Sequence, residues 1–300
     1  MVTMGYATQF GLGPQHATNL ATRQFEFQSC SLNKRQQLVR SQGIRGQRAP
    51  SGDTTQPGTY AVSGSVMLVP RPDDLDFLLP YILGAAEDAD LFAMAESLPD
   101  LVATIDKQVY VETYRGLRVA RAIFRSSQGQ PLTLELQLEG TTKDNIAAAG
   151  TFPSITSTLS AKLPYVHHQA TWTFDSTEFE LNDLVLTIDN QLETDHYNNS
   201  QTRTRLPLGE PQITLAFNTH HDASFHGKLR DIAPSGVSAA QLRYNNGTDS
   251  LAIDFGRLQK HETPVDIRGK QSLRPDVTLA AFADTANNLP MIQFTNTNSA

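Results

Sequence analysis

Thr59-Tyr-Ala-Val-Ser-Gly-Ser-Val-Met-Leu-Val69, Pro72-Asp-Asp-Leu75 running on to Ile82-Leu-Gly84, and Leu132-Thr-Leu-Glu-Leu-Gln-Leu138 decide the fold class. In the last of these, four leucines face one way while Thr133, Glu135 and Gln137 face the other, the period-2 pattern of a half-buried strand. The middle piece changes period. Leu75, Leu78, Leu79, Ile82 and Leu83 recur at three- and four-residue spacing and predict one amphipathic helix over 72–84. Pro72 suits its first turn, Asp73, Asp74 and Asp76 meet the positive end of the helix dipole, and Gly84 ends it. Pro80 inside it predicts a kink or a break. A single helix among strands predicts a mainly β chain, an antiparallel sandwich or barrel with one short flanking helix.

Working outward, residues 85–100 read as an acidic helix-and-loop connection (Glu87, Asp88, Asp90, Pro99). Val109 to Gly116 reads as a strand, Arg115-Gly116 as a turn, and Leu117 to Phe124 as the returning strand, with a second turn at Gln128-Gly129. Upstream, residues 1–22 are small and polar and read as an extended arm. Residues 23–28 form a short strand. Asn33 to Pro57 is a long polar stretch without periodicity, expected to be an interaction loop. Downstream, Gly140 to Ile155 reads as a linker. Further strands are expected at 170–174, 178–181, 184–188, 212–217, 239–244, 250–255, 277–282 and 291–294, with Asn245-Asn-Gly247 as a hairpin turn.

The chain also echoes itself. Phe25-x-Phe27, Arg45-Gly-Gln-Arg-Ala-Pro50 and the strand ending Val66-Met-Leu-Val69 have counterparts in Leu184-x-Leu186, Arg203-Thr-Arg-Leu-Pro207 and Ile213-Thr-Leu-Ala-Phe217. This predicts an arm over 1–22, a first β domain over 23–145 and a second, divergent copy over 146–300.

Composition excludes several function classes. With 39 % hydrophobic and 18 % charged residues this is an ordinary globular chain, and no apolar run approaches the roughly 18 residues of a membrane span. The N-terminus lacks the basic-then-apolar pattern of an export signal, and Cys30 is a lone cysteine, so the expected setting is a reducing cytosol. As a nucleophile Cys30 has no partner in sequence and reads as a small hydrophobe. The net charge of −7 is uneven: residues 1–50 carry Arg23, Lys34, Arg35, Arg40, Arg45 and Arg48 against Glu26, leaving −12 on the rest. A basic segment on an acidic body favours self-association over wrapping of nucleic acid. Asp254-Phe-Gly256 sits in an alternating strand without the companion motifs of a kinase. His220-His-Asp222 with His226, and His167-His168, place neighbouring rings on opposite strand faces and match no metal-ligand spacing. No catalytic, cofactor or metal site is expected.

The order Phe25-Glu-Phe27, Ser31-Leu32, Gly43-Ile-Arg-Gly46, Val62-Ser-Gly-Ser-Val-Met67 before Pro70, Leu78-Leu-x-Tyr-Ile-Leu-Gly84 and Tyr114-Arg-Gly116 resembles the tail tube (major tail) proteins of long-tailed bacteriophages. The resemblance covers residues 20–142 well and the remainder loosely. It implies a β-sandwich or barrel of tail-tube type, and a structural virion protein that self-assembles into stacked rings forming a hollow tube for DNA ejection. It implies as partners the chain itself, the tape measure, tail tip and terminator proteins, and DNA that passes without specific binding, in a virion tail made in the host cytoplasm. The loop 33–57, with Arg35, Arg40, Arg45 and Arg48, would bridge rings. A true duplication predicts three chains in a pseudo-sixfold ring; otherwise six chains form the ring and the C-terminal half is a decoration. An acidic lumen would repel DNA, with Glu112, Glu135, Glu139 and Asp189 as inward-facing candidates and outer-surface exposure as the equal alternative. A carbohydrate- or receptor-binding sandwich of a tail tip or adhesin is the other class. It would want clustered exposed aromatics, whereas the single Trp172 reads as core.

Overall fold

A computed structural model describes residues 4–15, 21–40, 43, 46, 48–49, 55–144, 146–148, 152–153, 159–174, 177–220, 240–260 and 274–298. The first half contains β1 (Gln9–Pro14), β2 (Arg23–Phe25), β3 (Phe27–Cys30), β4 (Asn33–Arg40), β5 (Thr55–Leu68), α1 (Pro72–Leu83), β6 (Leu91–Ala93), β7 (Leu101–Asp106), β8 (Tyr110–Ser127), β9 (Thr133–Gly140), β10 (Thr142–Lys143) and β11 (Ala147–Ala148). The second contains β12 (Ala170–Phe174), β13 (Thr177–Phe179), β14 (Asp183–Asp189), β15 (Gln212–Asn218), β16 (Ala240–Asn245), β17 (Ser250–Phe255), β18 (Arg257–Lys260), β19 (Asp276–Phe282) and β20 (Ile292–Thr297).

Among the described residues these strands form two antiparallel sheets facing one another, a sandwich. The larger runs β18-β19-β15-β14-β8-β7-β1-β2, and on the other side of β8 it continues through β9 and β5 to β3 and β4. The smaller runs β13-β12-β16-β17-β20-β6. Leucines 134, 136 and 138 of β9 are buried on the inner face, as their alternation requires. Phe124 of β8 meets Phe294 of β20 with ring centroids 5.6 Å apart, and Trp172 of β12 meets Phe217 of β15 at 5.8 Å. Such centroid spacings are those of favourable tilted aromatic pairs.

The helix lies against β8 and β20, and its stripe of Leu75, Leu78, Leu79, Ile82 and Leu83 is fully buried. Pro80 neither breaks it nor shortens it: the helix is continuous over its twelve residues. Gly84 closes it at φ 100°, its N–H donating to the Pro80 carbonyl at 2.8 Å. Asn190 Nδ2 donates to the Ile82 carbonyl at 3.1 Å and to the Val119 carbonyl at 3.0 Å, so the buried helix end and β8 share one donor group.

The structure corrects four local expectations. Arg115-Gly116 is no turn: β8 is one strand of 18 residues that bends at Gly116 (φ 59°) and serves two neighbours, β7 along its first half and β14 along its second. The segment before it holds strand β6 in place of an acidic helix. The N-terminal segment includes β1, whose Phe10 and Leu12 are wholly buried between glycines too small to show in a pattern count. The linker after Gly140 contributes β10 and β11, both paired with β8.

One carboxylate near the helix start is held at a cost. Burial pushes Asp76 up to about 6; Glu87 and Asp73 push the same way, while amide donors from Asn296 and Asn298 oppose the shift. A carboxyl raised in the folded state costs stability above its folded pKa, and that cost disappears as pH falls through about 6 toward the ordinary carboxylate range. Removing the exposed Glu87 charge with Glu87→Gln should raise the melting temperature by about 1–2 °C near neutral pH. The gain should fade where Asp76 is protonated, as calorimetry across pH would show.

Candidate functional site

Strand β5 is longer than the sheet it belongs to. Residues 62–68 pair with β9, whereas residues 55–61 pair with β4 alone. The result is a two-stranded ribbon projecting from the sandwich, with Asn33 opposite Ser63 at its base and Arg40 opposite Thr55 at its far end. This explains why Asn33 to Arg40 shows no periodicity: every residue except the half-buried Lys34 is exposed, so no face demands apolar residues. Lys34 Nζ sits 3.7 Å from the centre of the Tyr60 ring, and the Tyr60 N–H donates to the Gln201 carbonyl at 2.8 Å. A cation–aromatic contact braces the ribbon at its base, and the same loop reaches further out, Gln201 Nε2 donating to the Pro57 carbonyl at 3.2 Å. Further out, Leu38 is 63 % and Val39 57 % exposed. A two-stranded ribbon alone in water is marginal, and one displaying two apolar side chains is built to be covered.

The sheet edge beside the ribbon is also open. β3 and β4 both pair with β5 and, among the described residues, with nothing on their outer side. An unpaired edge of this length is a template for a strand of another chain. Next to β3 lies a shallow hollow of about 410 Å³ lined by Met4, Phe27, Cys30, Ile105 and Val109. Burial pushes the Cys30 thiol pKa up, which suppresses the thiolate and matches its reading as a small hydrophobe.

The sequence-predicted residues fall into three places. Arg35 and Arg40 lie exposed on β4, Arg48 is exposed beyond the ribbon, and Arg45 lies outside the described residues. Glu135, Glu139 and Asp189 share the outer face of the larger sheet, on β9 and β14 either side of β8. None stands as an isolated charge. Asp189 accepts from Arg121 Nε at 2.8 Å, Glu135 lies 3.6 Å from Arg125, and Glu139 is bonded by Arg203. Sequence reading missed these arginines as partners: Arg121 and Arg203 meet Asp189 and Glu139 from distant segments, and Arg125 meets Glu135 only through the register of the β8–β9 hairpin. Glu112 lies apart and is 4 % exposed. Lys107 at 2.6 Å, Lys143 and the Tyr114 hydroxyl at 2.8 Å all meet its carboxylate. Burial raises its pKa, but these three donors outweigh that and hold the carboxyl below its ordinary range. Through Lys143 it links β8 to β10 from within.

The histidine pairs divide similarly. His167 is buried, its Nδ1 2.9 Å from the Ser126 hydroxyl and its Nε2 3.0 Å from the Leu181 carbonyl. With Nε2 donating to the carbonyl, Nδ1 accepts from Ser126, a polar bridge between β8 and the segment entering β12. His220 is described, while His221, Asp222 and His226 lie outside the described residues. Among the described residues no group of His, Cys, Asp and Glu could hold a metal ion. Asp254 lies in β17 and accepts from Gln241 Nε2 at 2.6 Å, and Trp172 is 1 % exposed core.

No helix is long and apolar enough to cross a membrane among the described residues. A family model described as phage tail tube protein matches residues 2–286. No curated protein matches the chain. With an antiparallel sandwich, one flanking helix, an open sheet edge and a projecting ribbon, over nearly its whole length the chain belongs to the phage tail tube protein family.

Proposed function

We propose that this chain is a non-catalytic building block that stacks as rings into the hollow tail tube and lets DNA leave through its channel. The projecting ribbon is the observation that carries this reading: strands β4 and β5 beyond the sandwich, bearing exposed Leu38 and Val39. A ribbon reaching away from its own subunit makes a contact of different surfaces, and contacts of that kind propagate as rings or filaments. Within a ring, the open edge of β3 and β4 receives a strand of the neighbouring subunit. Between rings, the ribbon crosses to the next layer with Arg35, Arg40, Arg45 and Arg48 against the acidic body of another copy. The channel wall is the outer face of the larger sheet, where Glu135, Glu139 and Asp189 lie.

The two halves act as a first copy over 23–145 and a second, divergent copy over 146–300. The strand runs β5-β9-β8 and β14-β15-β19 lie side by side in one sheet, which supports that reading. Three chains then close a pseudo-sixfold ring; without the duplication six chains do so. The tape measure inside the channel and the tip and terminator proteins at its ends complete the set of partners. The tube is made in the host cytoplasm and resides in the virion tail. Negative-stain microscopy of the purified protein tests this directly. Hollow tubes or rings are expected, and a protein that stays monomeric at all concentrations overturns the reading.

A further inference from the structure

On the outer face of the larger sheet the cations stand outward and the acids lie beneath them. The Arg121 and Arg125 side chains are 43 % and 45 % exposed, whereas their partners Asp189 and Glu135 are 13 % and 20 % exposed. β8 threads between β9 and β14, so each acid comes from a strand flanking the one that carries the arginine. Ile123, between the two arginines on that face, is only 7 % exposed, consistent with neighbouring side chains lying over it. The neighbouring positions mix polar Gln137, Thr187 and Thr214 with apolar Met67, Val185 and Ala216, and the Glu139–Arg203 pair lies further along β9. At one end, Arg118 pairs with Asp100 at 2.6 Å and also donates to the Leu206 carbonyl at 2.6 Å.

We infer that Glu135 and Asp189 act as masks: each holds an outward arginine in an ion pair so that the wall formed by this face does not grip nucleic-acid phosphates. An exposed guanidinium free of a carboxylate is a strong phosphate ligand, and every phosphate neutralised adds salt-dependent affinity. An acid placed under the arginine cancels its charge where it stands. A polyanion then meets a wall with little attraction, without the wall having to be acidic throughout. This rests on the proposal that the face lines the channel, and it replaces simple repulsion with local neutralisation.

The test uses the full chain with Glu135→Gln and Asp189→Asn together, sparing Glu139 because its partner Arg203 is only 7 % exposed. Binding of a short fluorescently labelled DNA duplex is read by anisotropy. The double variant is expected to bind at least about tenfold tighter than the wild type near 50 mM salt, losing about tenfold by 200 mM as two freed cations would. Adding Arg121→Gln and Arg125→Gln should abolish the gain. A folded double variant that binds no tighter, or a gain that survives loss of the arginines, overturns the inference. If the double variant does not fold, Glu135→Gln alone, at the looser of the two pairs, must still give a gain of about threefold, and its absence overturns the inference equally. Microscopy of the same samples separates the two readings. Wild-type protein that forms no tubes counts against the tube proposal, whereas intact tubes without DNA binding by the variant count against masking alone.

Discussion

Purified Leu38→Asp/Val39→Asp protein is expected to stay unassembled at concentrations where the wild type is proposed to form tubes, while the subunit itself should melt within about 1 °C of wild type. The subunit is spared because both side chains already stand in water, 63 % and 57 % exposed, opposite Pro57 and Gln56. Successive strand residues point to opposite faces, so the ribbon is apolar on both sides at this level and fits between two neighbours better than against one. Burying a leucine or valine side chain is worth about 1.5–3 kcal/mol. Losing both and placing two charges there raises the concentration needed for assembly by roughly two to three orders of magnitude or more. Pelleting with microscopy measures the threshold. An unchanged threshold removes the ribbon tip from the interface.

Gly64→Val is expected to fail at an earlier stage, in the subunit. Gly64 lies on β5 opposite Leu138, and on its other side the chain passes from β3 to β4 at Ser31-Leu32. A Cβ on residue 64 would sit 2.5 Å from Leu32 Cα and 2.6 Å from Leu32 N. Both are backbone atoms, so no rotamer change relieves the clash and the edge must move outward. That movement pulls Leu32, 4 % exposed, from the core. It also breaks the bonds between Ser31 and Ser65, at 2.8 Å from the Ser31 N–H and 2.9 Å to its hydroxyl. The expected loss is about 3–5 kcal/mol, or about 10 °C in melting temperature by calorimetry. A variant melting near wild type would show that β3 and β4 are held less tightly than these contacts indicate. Because the same edge is proposed to receive the neighbouring subunit, any folded fraction should also assemble poorly.

The sheet core and helix were legible because burial on one face writes itself into the sequence. Leu132 to Leu138 and Leu75 to Leu83 each have a single buried side, and the structure places them as their periods require. The misread segments share a different physics. β4, which reads as a loop, has solvent on both sides, and β7, where no strand is expected from sequence, is buried on both, so neither alternates. Gly116 signals a turn in isolation, yet β8 uses its positive φ to bend within a strand, because pairing with β7 and β14 on successive stretches holds the chain extended. The acids at 135, 139 and 189 were visible as polar positions on strands, but their arginine partners were not. Asp189 and Arg121 are 68 residues apart and meet only because β14 docks beside β8. The basic ribbon was visible as a charge imbalance before its structure was known, since charge survives where periodicity does not.

The most direct measurement is a cryo-electron microscopy reconstruction of the assembled particle, with the subunit fitted into density. The account predicts the Arg121–Asp189 and Arg125–Glu135 pairs on the channel wall, the β3–β4 edge joined to a neighbouring chain, and the Leu38–Val39 ribbon crossing the ring boundary. Density that places this face on the outside of the tube, with the ribbon lying back on its own subunit, would contradict it.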